Sequence, residues 1–262
     1  MQRPPLVQCR ALDPRPAEQA AEHPIANAVN VPFDDLPRRT HELPPRNTVV
    51  PVVGPNALAR ATVEWLRAHG RRAAVASTFN YASTADPGLG RLWQPTAFLG
   101  DVVQHWRPGA ALDLACGVGR DAVYLASLGW RVTAVDVLPD ALDRARGLAG
   151  RYAAAIEPVE WCLMDLEREA PTFERAFDLV VGFRYLHRPL FERLPGWLRP
   201  GGHVVYETFT TLHRERHGRP AADAHVLKPG ELPQLLAGFD LRHHSEAWRG
   251  EAHTARVWAV KT

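Results

Sequence analysis

The sequence predicts an α/β chain of two units, the larger one a doubly wound, mostly parallel sheet. Three observations carry this. After Gly109, short β-type apolar runs alternate regularly with helical patterns; glycines at 129 and 150 stop the helical runs; and a Pro-rich stretch before residue 76 shows a shorter alternation of its own. With 262 residues, 46% of them hydrophobic, the chain can bury more than one core, since domains usually hold about 100–150 residues.

In the first unit, residues 1–76, the β-type runs are LVQCRAL, ANAVNVP and NTVVPVV. NALARATVEWLRAHG follows with apolar positions Leu58, Ala61, Trp65 and Leu66 at helical spacing and a stop at Gly70, then a further strand, RAAVA. STFNYASTADPGLG is small, polar and turn-forming, so residues 77–98 are expected to be a linker or lid. The second unit, 99–262, has seven predicted strands: ALDLA, WRVTAVDV, PVEWCLM, FDLVVGF, HVVYETF, FDLRHHSEAW and HTARVWAVK. GRDAVYLASLG, PDALDRARGLAG, LFERLPGWL and PGELPQLLAG are the predicted helices between them.

Composition excludes several classes. Lys and Arg total 31 against 29 acidic residues, so the net charge of +2 calls for no nucleic-acid partner. No apolar run approaches the roughly 18–20 residues of a membrane span, and the first residues lack a signal-peptide pattern, so no membrane partner and a cytoplasmic location are expected. Cys9, Cys116 and Cys162 show no CxxC spacing and are expected as reduced thiols, and the 12 scattered histidines give no metal set. His213 and His217 stand four apart and would share a face only in a helix. The oligomeric state is not legible.

The chemistry concentrates at three strand ends. In an open parallel sheet the loop after the first strand is the usual ligand contact, and here it reads ACGVGRD. Gly117 and Gly119 let the backbone turn tightly and approach a ligand. Asp113 precedes that loop, and Asp136 ends the second strand, where a carboxylate suits the two hydroxyls of a ribose. A third acidic position, Asp165, follows in CLMDLE.

This combination, LDLACGVGRDAVYLA then VTAVDVLPDAL then CLMDLE, resembles class I S-adenosylmethionine-dependent methyltransferases over about residues 92–262. LDLACGVGRDAVYLASLGWRVTAVD is particularly similar to the tellurite-resistance and thiopurine branch, which acts on small molecules. The resemblance implies a Rossmann-like fold with S-adenosylmethionine as cofactor. It implies that Asp113, Ala115, Gly117 and Gly119 hold the amino-acid end of the cofactor, with Arg120 and Asp121 shaping the same pocket. Asp136 would bind the ribose, Val137 would pack on the adenine, and Asp165, flanked by Met164 and Leu166, would accept from the adenine amine. A nicotinamide-binding reading is disfavoured, because GVGRDA lacks the third glycine.

Methyl transfer from a sulfonium is an in-line displacement, which asks mainly for a positioned nucleophile. The acceptor side of such a fold lies past strands four and five. Phe183, Arg184, Tyr185, His187 and Arg188 are therefore candidates, with Arg184 and Arg188 as an oxyanion clamp and His187 as a proton relay. No NPPY-like tetrapeptide and no Pro-Cys pair follows strand four, against nucleic-acid amino or cytosine methylation. The stretch TTLHRERHGRPAADAHVLKPGEL is a lid or a solvated loop, and its order of a YETF strand, a GRP turn and a PGEL helix start again resembles the tellurite-resistance type. Tyr81, Trp93 and Phe98 are aromatic candidates for the other wall.

The first unit, on LDPRPAEQAAEHPIANAVNVPFDDL and VVPVVGPNALARATVEWLRAHG, resembles a rhodanese-like module, with Asp13 and Arg15 in a D-x-R position. Counting back from Gly70, the position of the sulfur-carrying cysteine falls at Val53, so this unit is expected to be catalytically inert. The expected whole is a methyltransferase for a small nucleophile of the thiol or chalcogen kind. The alternatives are a non-catalytic cofactor-binding scaffold, or an enzyme acting on a protein or nucleic acid recruited by the first unit.

Overall fold

The computed structural model describes residues 6–81, 89–104, 106–169, 171–173 and 175–262. The chain divides into two compact units, Met1–Gln94 and Pro95–Thr262.

In the first unit the run LVQCRAL breaks into two strands, β1 (Leu6–Gln8) and β2 (Ala11–Asp13). Helix α1 (Ala17–Glu22), β3 (Ala28–Asn30), α2 (Leu36–Arg39), β4 (Val49–Val52), α3 (Asn56–Ala68) and β5 (Arg72–Val75) follow. Strands β3-β2-β4-β5 form a parallel sheet. Ala59, Thr62, Val63 and Leu66 of α3 are buried, and Leu12, Val50, Val52, Ala59, Val63 and Leu66 share one core. Gly70, at φ 71°, turns the chain out of α3. The unit does not end at residue 76. Strand β6 (Leu89–Arg91) returns to pair in parallel with β1, and the unit closes at Gln94, which takes Trp93 with it. The expected 77–98 linker is therefore part of the first unit over 89–94; residues 82–88 lie outside the described residues. A pairing eighty residues distant leaves no local signal in the sequence.

The second unit opens with α4 (Ala97–Val103) and β7 (Ala110–Leu114), α5 (Arg120–Ser127), β8 (Arg131–Asp136), α6 (Pro139–Arg151) and β9 (Val159–Leu163). It continues with β10 (Phe177–Phe183), α7 (Leu194–Trp197), β11 (Leu198–Phe209), α8 (Thr211–His217), α9 (Glu231–Leu235), β12 (Phe239–Arg249) and β13 (Ala252–Lys261). All seven predicted strands form one sheet in the order β12-β13-β11-β10-β7-β8-β9. Pairing is parallel from β9 to β11, and β13 runs antiparallel to both β11 and β12. The final hairpin thus inserts its second strand between β11 and β12.

The order fixes where a ligand can enter. From β7 the chain winds out to β8 and β9, then crosses back to β10 on the other side of β7. The crevice beyond the carboxyl ends of β7 and β10 is the switch point of the sheet. β7 is buried at every position, as a central parallel strand must be. Leu112, Leu114, Val135, Val180, Val204 and Val257 anchor the core beneath that crevice. The segment 211–230, read as a lid or a loop, begins as helix α8, so His213 and His217 do lie on adjoining turns. No helix among the described residues is long and apolar enough to cross a membrane.

Candidate cofactor and acceptor site

The turn after β7 is set by its backbone. Ala115, Gly117 and Gly119 have φ values of 56°, 55° and 75°, so alternate residues are left-handed from the strand end to the first turn of α5. That alternation is costly for a residue with a side chain and free for glycine. A Cβ on Gly119 would lie 2.6 Å from the Trp161 ring and 2.8 Å from Ala145, so this glycine lets the loop close onto β9 and α6. Gly117 has open space beside it instead, as a ligand-facing position requires.

Two carboxylates bracket the turn. Asp113 is buried and accepts the Ala122 amide at the start of α5, while its Oδ2 is buried with no hydrogen-bond partner among the described residues. Burial, reinforced by Asp121 and Asp136 nearby, holds its pKa well above the usual carboxylate range. Asp136 spends one oxygen on the Gly117 amide (2.7 Å) and the other on the Leu138 amide (2.9 Å). Each carboxylate oxygen keeps a second acceptor site, so ribose recognition is compatible with this bracing role. Val137 and Leu138, directly beyond, are 51% and 60% exposed, an apolar surface offered at the strand end.

The remaining predicted cofactor residues divide. Met164 sits beside the loop, its amide on the Asp136 carbonyl at 3.1 Å, and is half-buried against the core. Asp165 lies at the third strand end, its Oδ1 accepting the Glu167 amide at 3.0 Å and its Oδ2 3.5 Å from Arg168. Leu166 is buried in the core of the unit. Asp121 is occupied too: its two oxygens take the Thr96 amide (2.6 Å) and hydroxyl (2.9 Å), tying the start of α4 to α5. Thr96 went unrecognised because the partners are 25 residues apart. Arg120 is half-buried, with its pKa lowered by burial and drawn back up by Asp121.

On the acceptor side, Phe183 ends β10 half-buried. Arg184 is exposed in a left-handed conformation (φ 58°), held there by its amide on the Glu207 carbonyl at 2.8 Å. A non-glycine residue kept in that region marks a place where the surroundings dictate direction. Tyr185 is half-buried, with a buried hydroxyl that has no partner among the described residues; desolvation and then Glu167, Asp165 and Asp136 raise its pKa. It stays a neutral donor at physiological pH. His187 is half-buried and precedes a 3-10 turn at Arg188–Leu190.

Arg188 does not belong to an oxyanion clamp. Its guanidinium forms a bidentate pair with Glu231 (2.6 and 2.9 Å) and donates to the carbonyls of Ala224 (2.8 Å) and Val226 (2.9 Å). These bonds take four of the guanidinium's five N–H groups and pin the 211–230 segment to the body of the unit. Phe98, on α4, is buried and packs near His243 (ring centroids 5.4 Å apart), with Arg256 4.8 Å over its ring. It is a packing residue of this unit. No group of three or more His, Cys, Asp or Glu among the described residues could hold a metal.

The second unit thus has an α/β Rossmann-like methyltransferase fold with a mostly parallel seven-stranded sheet. Residues 111–202 match the model of a family described as a methyltransferase domain. Nodulation protein S of Rhizobium tropici is 29% identical over 116 residues, 41% of this chain and 46% of that protein. An uncharacterized methyltransferase of Mycobacterium bovis is 38% identical over 106 residues, 38% of this chain and 50% of the relative. The chain thus spans about half the length of these curated relatives. Among solved structures, TehB from Haemophilus influenzae superposes with a TM-score of 0.54 at 18% identity, over 64% of this chain and 62% of its own, a likeness in fold. The resemblance in sequence implies S-adenosylmethionine as the cofactor of this crevice.

The residues present fit that cofactor. It carries an ammonium group and a sulfonium, and Asp113, at the end of β7, offers a buried carboxylate oxygen that has no hydrogen-bond partner among the described residues and would receive a cation. A cation arriving there would supply the countercharge that Asp113 lacks.

Proposed function

We propose that this chain is an S-adenosylmethionine-dependent methyltransferase that acts in the cytoplasm on a small-molecule nucleophile of the thiol or chalcogen class. Asp113 and the backbone of Ala115, Gly117 and Gly119 hold the amino-acid end of the cofactor. Asp136 takes the ribose, Val137 meets the adenine ring, and Asp165 receives its amine. The single observation that carries the reading is the unsatisfied Oδ2 of Asp113, buried at the mouth of a left-handed turn at the sheet's switch point.

The bound cofactor supplies an electrophilic methyl group. The protein's part is to orient a nucleophile in line with it and to exclude water. Arg184 and Tyr185, at the end of β10, form the acceptor side, with His187 available for proton relay. An already ionised nucleophile needs no general base.

The first unit is read as an inert rhodanese-like module. Val53 is buried where a sulfur-carrying cysteine would stand, and the unit's thiol, Cys9, is buried in its core. Asp13 and Arg15 of the D-x-R motif form a buried bidentate pair (2.9 and 2.7 Å), a structural brace. A small-molecule acceptor, with no nucleic-acid or membrane partner, is part of the proposal. The test is titration calorimetry of the purified chain with S-adenosylhomocysteine, followed by methyl transfer to a panel of thiols, sulfide, selenite and tellurite. Micromolar binding and turnover of one acceptor support the reading; a folded chain that does not bind the ligand refutes it.

A further inference from the structure

Beyond β11 the second unit holds two buried histidines that no part of the proposed cofactor site uses. His213, on α8, is 8% exposed, and its ring lies flat on Phe209, with centroids 4.2 Å apart at 15°. His253, at the start of β13, is buried, its Nδ1 2.6 Å from the Thr210 hydroxyl. Thr210 and His253 are tied a second time by the Thr210 amide on the His253 carbonyl at 3.3 Å. That clasp directs the His253 backbone N–H onto His213 Nδ1 at 3.4 Å.

A backbone N–H can only donate, so His213 Nδ1 must be the unprotonated nitrogen and the ring's proton sits on Nε2. The ring is thus presented as a neutral N–H donor, and its Nε2 has no protein partner among the described residues. Burial lowers the His213 pKa most, and His217 on its own helix, Arg219 after that helix, His253 from β13 and Arg184 from the end of β10 lower it further. Arg184 stands at the end of β10 with its amide on the Glu207 carbonyl of β11 (2.8 Å), two residues before the Phe209 on which the His213 ring lies.

We propose that His213, through Nε2–H, and Arg184 together form the handle that selects the methyl acceptor, and that the acceptor carries an anionic oxygen, a carboxylate or an oxyanion, beside its nucleophilic atom. A neutral donor and an arginine suit an anionic oxygen and disfavour a cationic amine, because a fixed N–H and a guanidinium both present positive edges. The inference rests on the methyltransferase reading for what the anion is, though not for whether it binds.

The experiment uses the full chain, first shown by calorimetry to be saturated with S-adenosylhomocysteine. Long-range proton–nitrogen spectra of the labelled histidines, assigned with H213A, are recorded during titration with sodium sulfate and, separately, sodium propionate. The expected result is an Nε2–H tautomer for His213 at pH 7, with a saturable shift of its Nε2 signal by at least one anion. R184Q is expected to weaken that anion at least tenfold. The better probe separates an oxyanion from a carboxylate. An Nδ1–H tautomer, no saturable shift with either anion, or an unchanged anion affinity in R184Q overturns the proposal. Failure of S-adenosylhomocysteine to bind would instead refute the methyltransferase reading, and the same spectra on the ligand-free chain would still decide the anion handle.

Discussion

The Asp136 carboxylate accepts the Gly117 amide at 2.7 Å and so braces the turn after β7 from the end of β8. One side chain therefore holds the loop in shape and offers its remaining lone pairs to the ligand. Asp136→Ala removes both contributions. The expected loss in S-adenosylhomocysteine affinity is about 1.5–3 kcal/mol, the scale of a hydrogen bond to a charged group. Calorimetry checks it, and unchanged affinity would remove Asp136 from the cofactor site.

Gly119→Ala places a methyl group 2.6 Å from Trp161 and 2.8 Å from Ala145 on a backbone at φ 75°. Neither neighbour is the tip of a flexible chain, so the loop must move. A destabilisation of about 1–3 kcal/mol is expected, as for overpacking elsewhere, together with weakened cofactor binding. Thermal melts with and without ligand report the two effects. Gly117→Ala meets open space, so its cost arises from φ 55° and from lost ligand approach, with a smaller drop in melting temperature.

Cofactor binding is expected to release protons. Asp113 has a raised pKa in the ligand-free protein, so part of it is protonated at mildly acidic pH. An ammonium group beside Oδ2 favours the ionised form and lowers that pKa. Affinity therefore increases as pH rises through the titration range of free Asp113 and levels off above it. Calorimetry in buffers of different ionisation enthalpy measures the proton count, and Asp113→Asn should bring it close to zero.

Arg188→Ala removes the bidentate partner of Glu231 and the side-chain donor to the carbonyls of Ala224 and Val226. A loss of about 1–3 kcal/mol is expected, with earlier proteolysis of the 211–230 segment. If Arg188 instead clamped substrate, turnover would fall while the protease pattern stayed unchanged.

The first unit is expected to give no thiosulfate-to-cyanide sulfur transfer, because Val53 offers no thiol and Cys9 is buried in the core. Sulfur transfer that disappears in Cys9→Ser would reverse the reading of this unit.

Much of the second unit was legible without coordinates. Seven β-type runs became the seven strands of one sheet, because a buried parallel strand leaves an apolar run and a helix leaves a glycine or proline at its ends. Asp113, Gly117, Gly119 and Asp136 were legible for a local reason: each sits within a few residues of a strand end, where the backbone itself creates the requirement. Arg188 was misplaced because a long side chain can reach partners about forty residues away, and nothing in RYLHRPL signals Glu231.

Local periodicity and backbone sterics account for the alternation of elements, the turn after β7 and the acidic residues at the strand ends. Tertiary packing alone brings Leu89–Arg91 back to β1, Thr96 onto Asp121, Arg188 onto the 211–230 segment, and the His253 amide onto His213 through the Thr210–His253 clasp. Those outcomes depend on which distant groups meet, and chain entropy opposes each meeting until the packing of the whole unit offsets it.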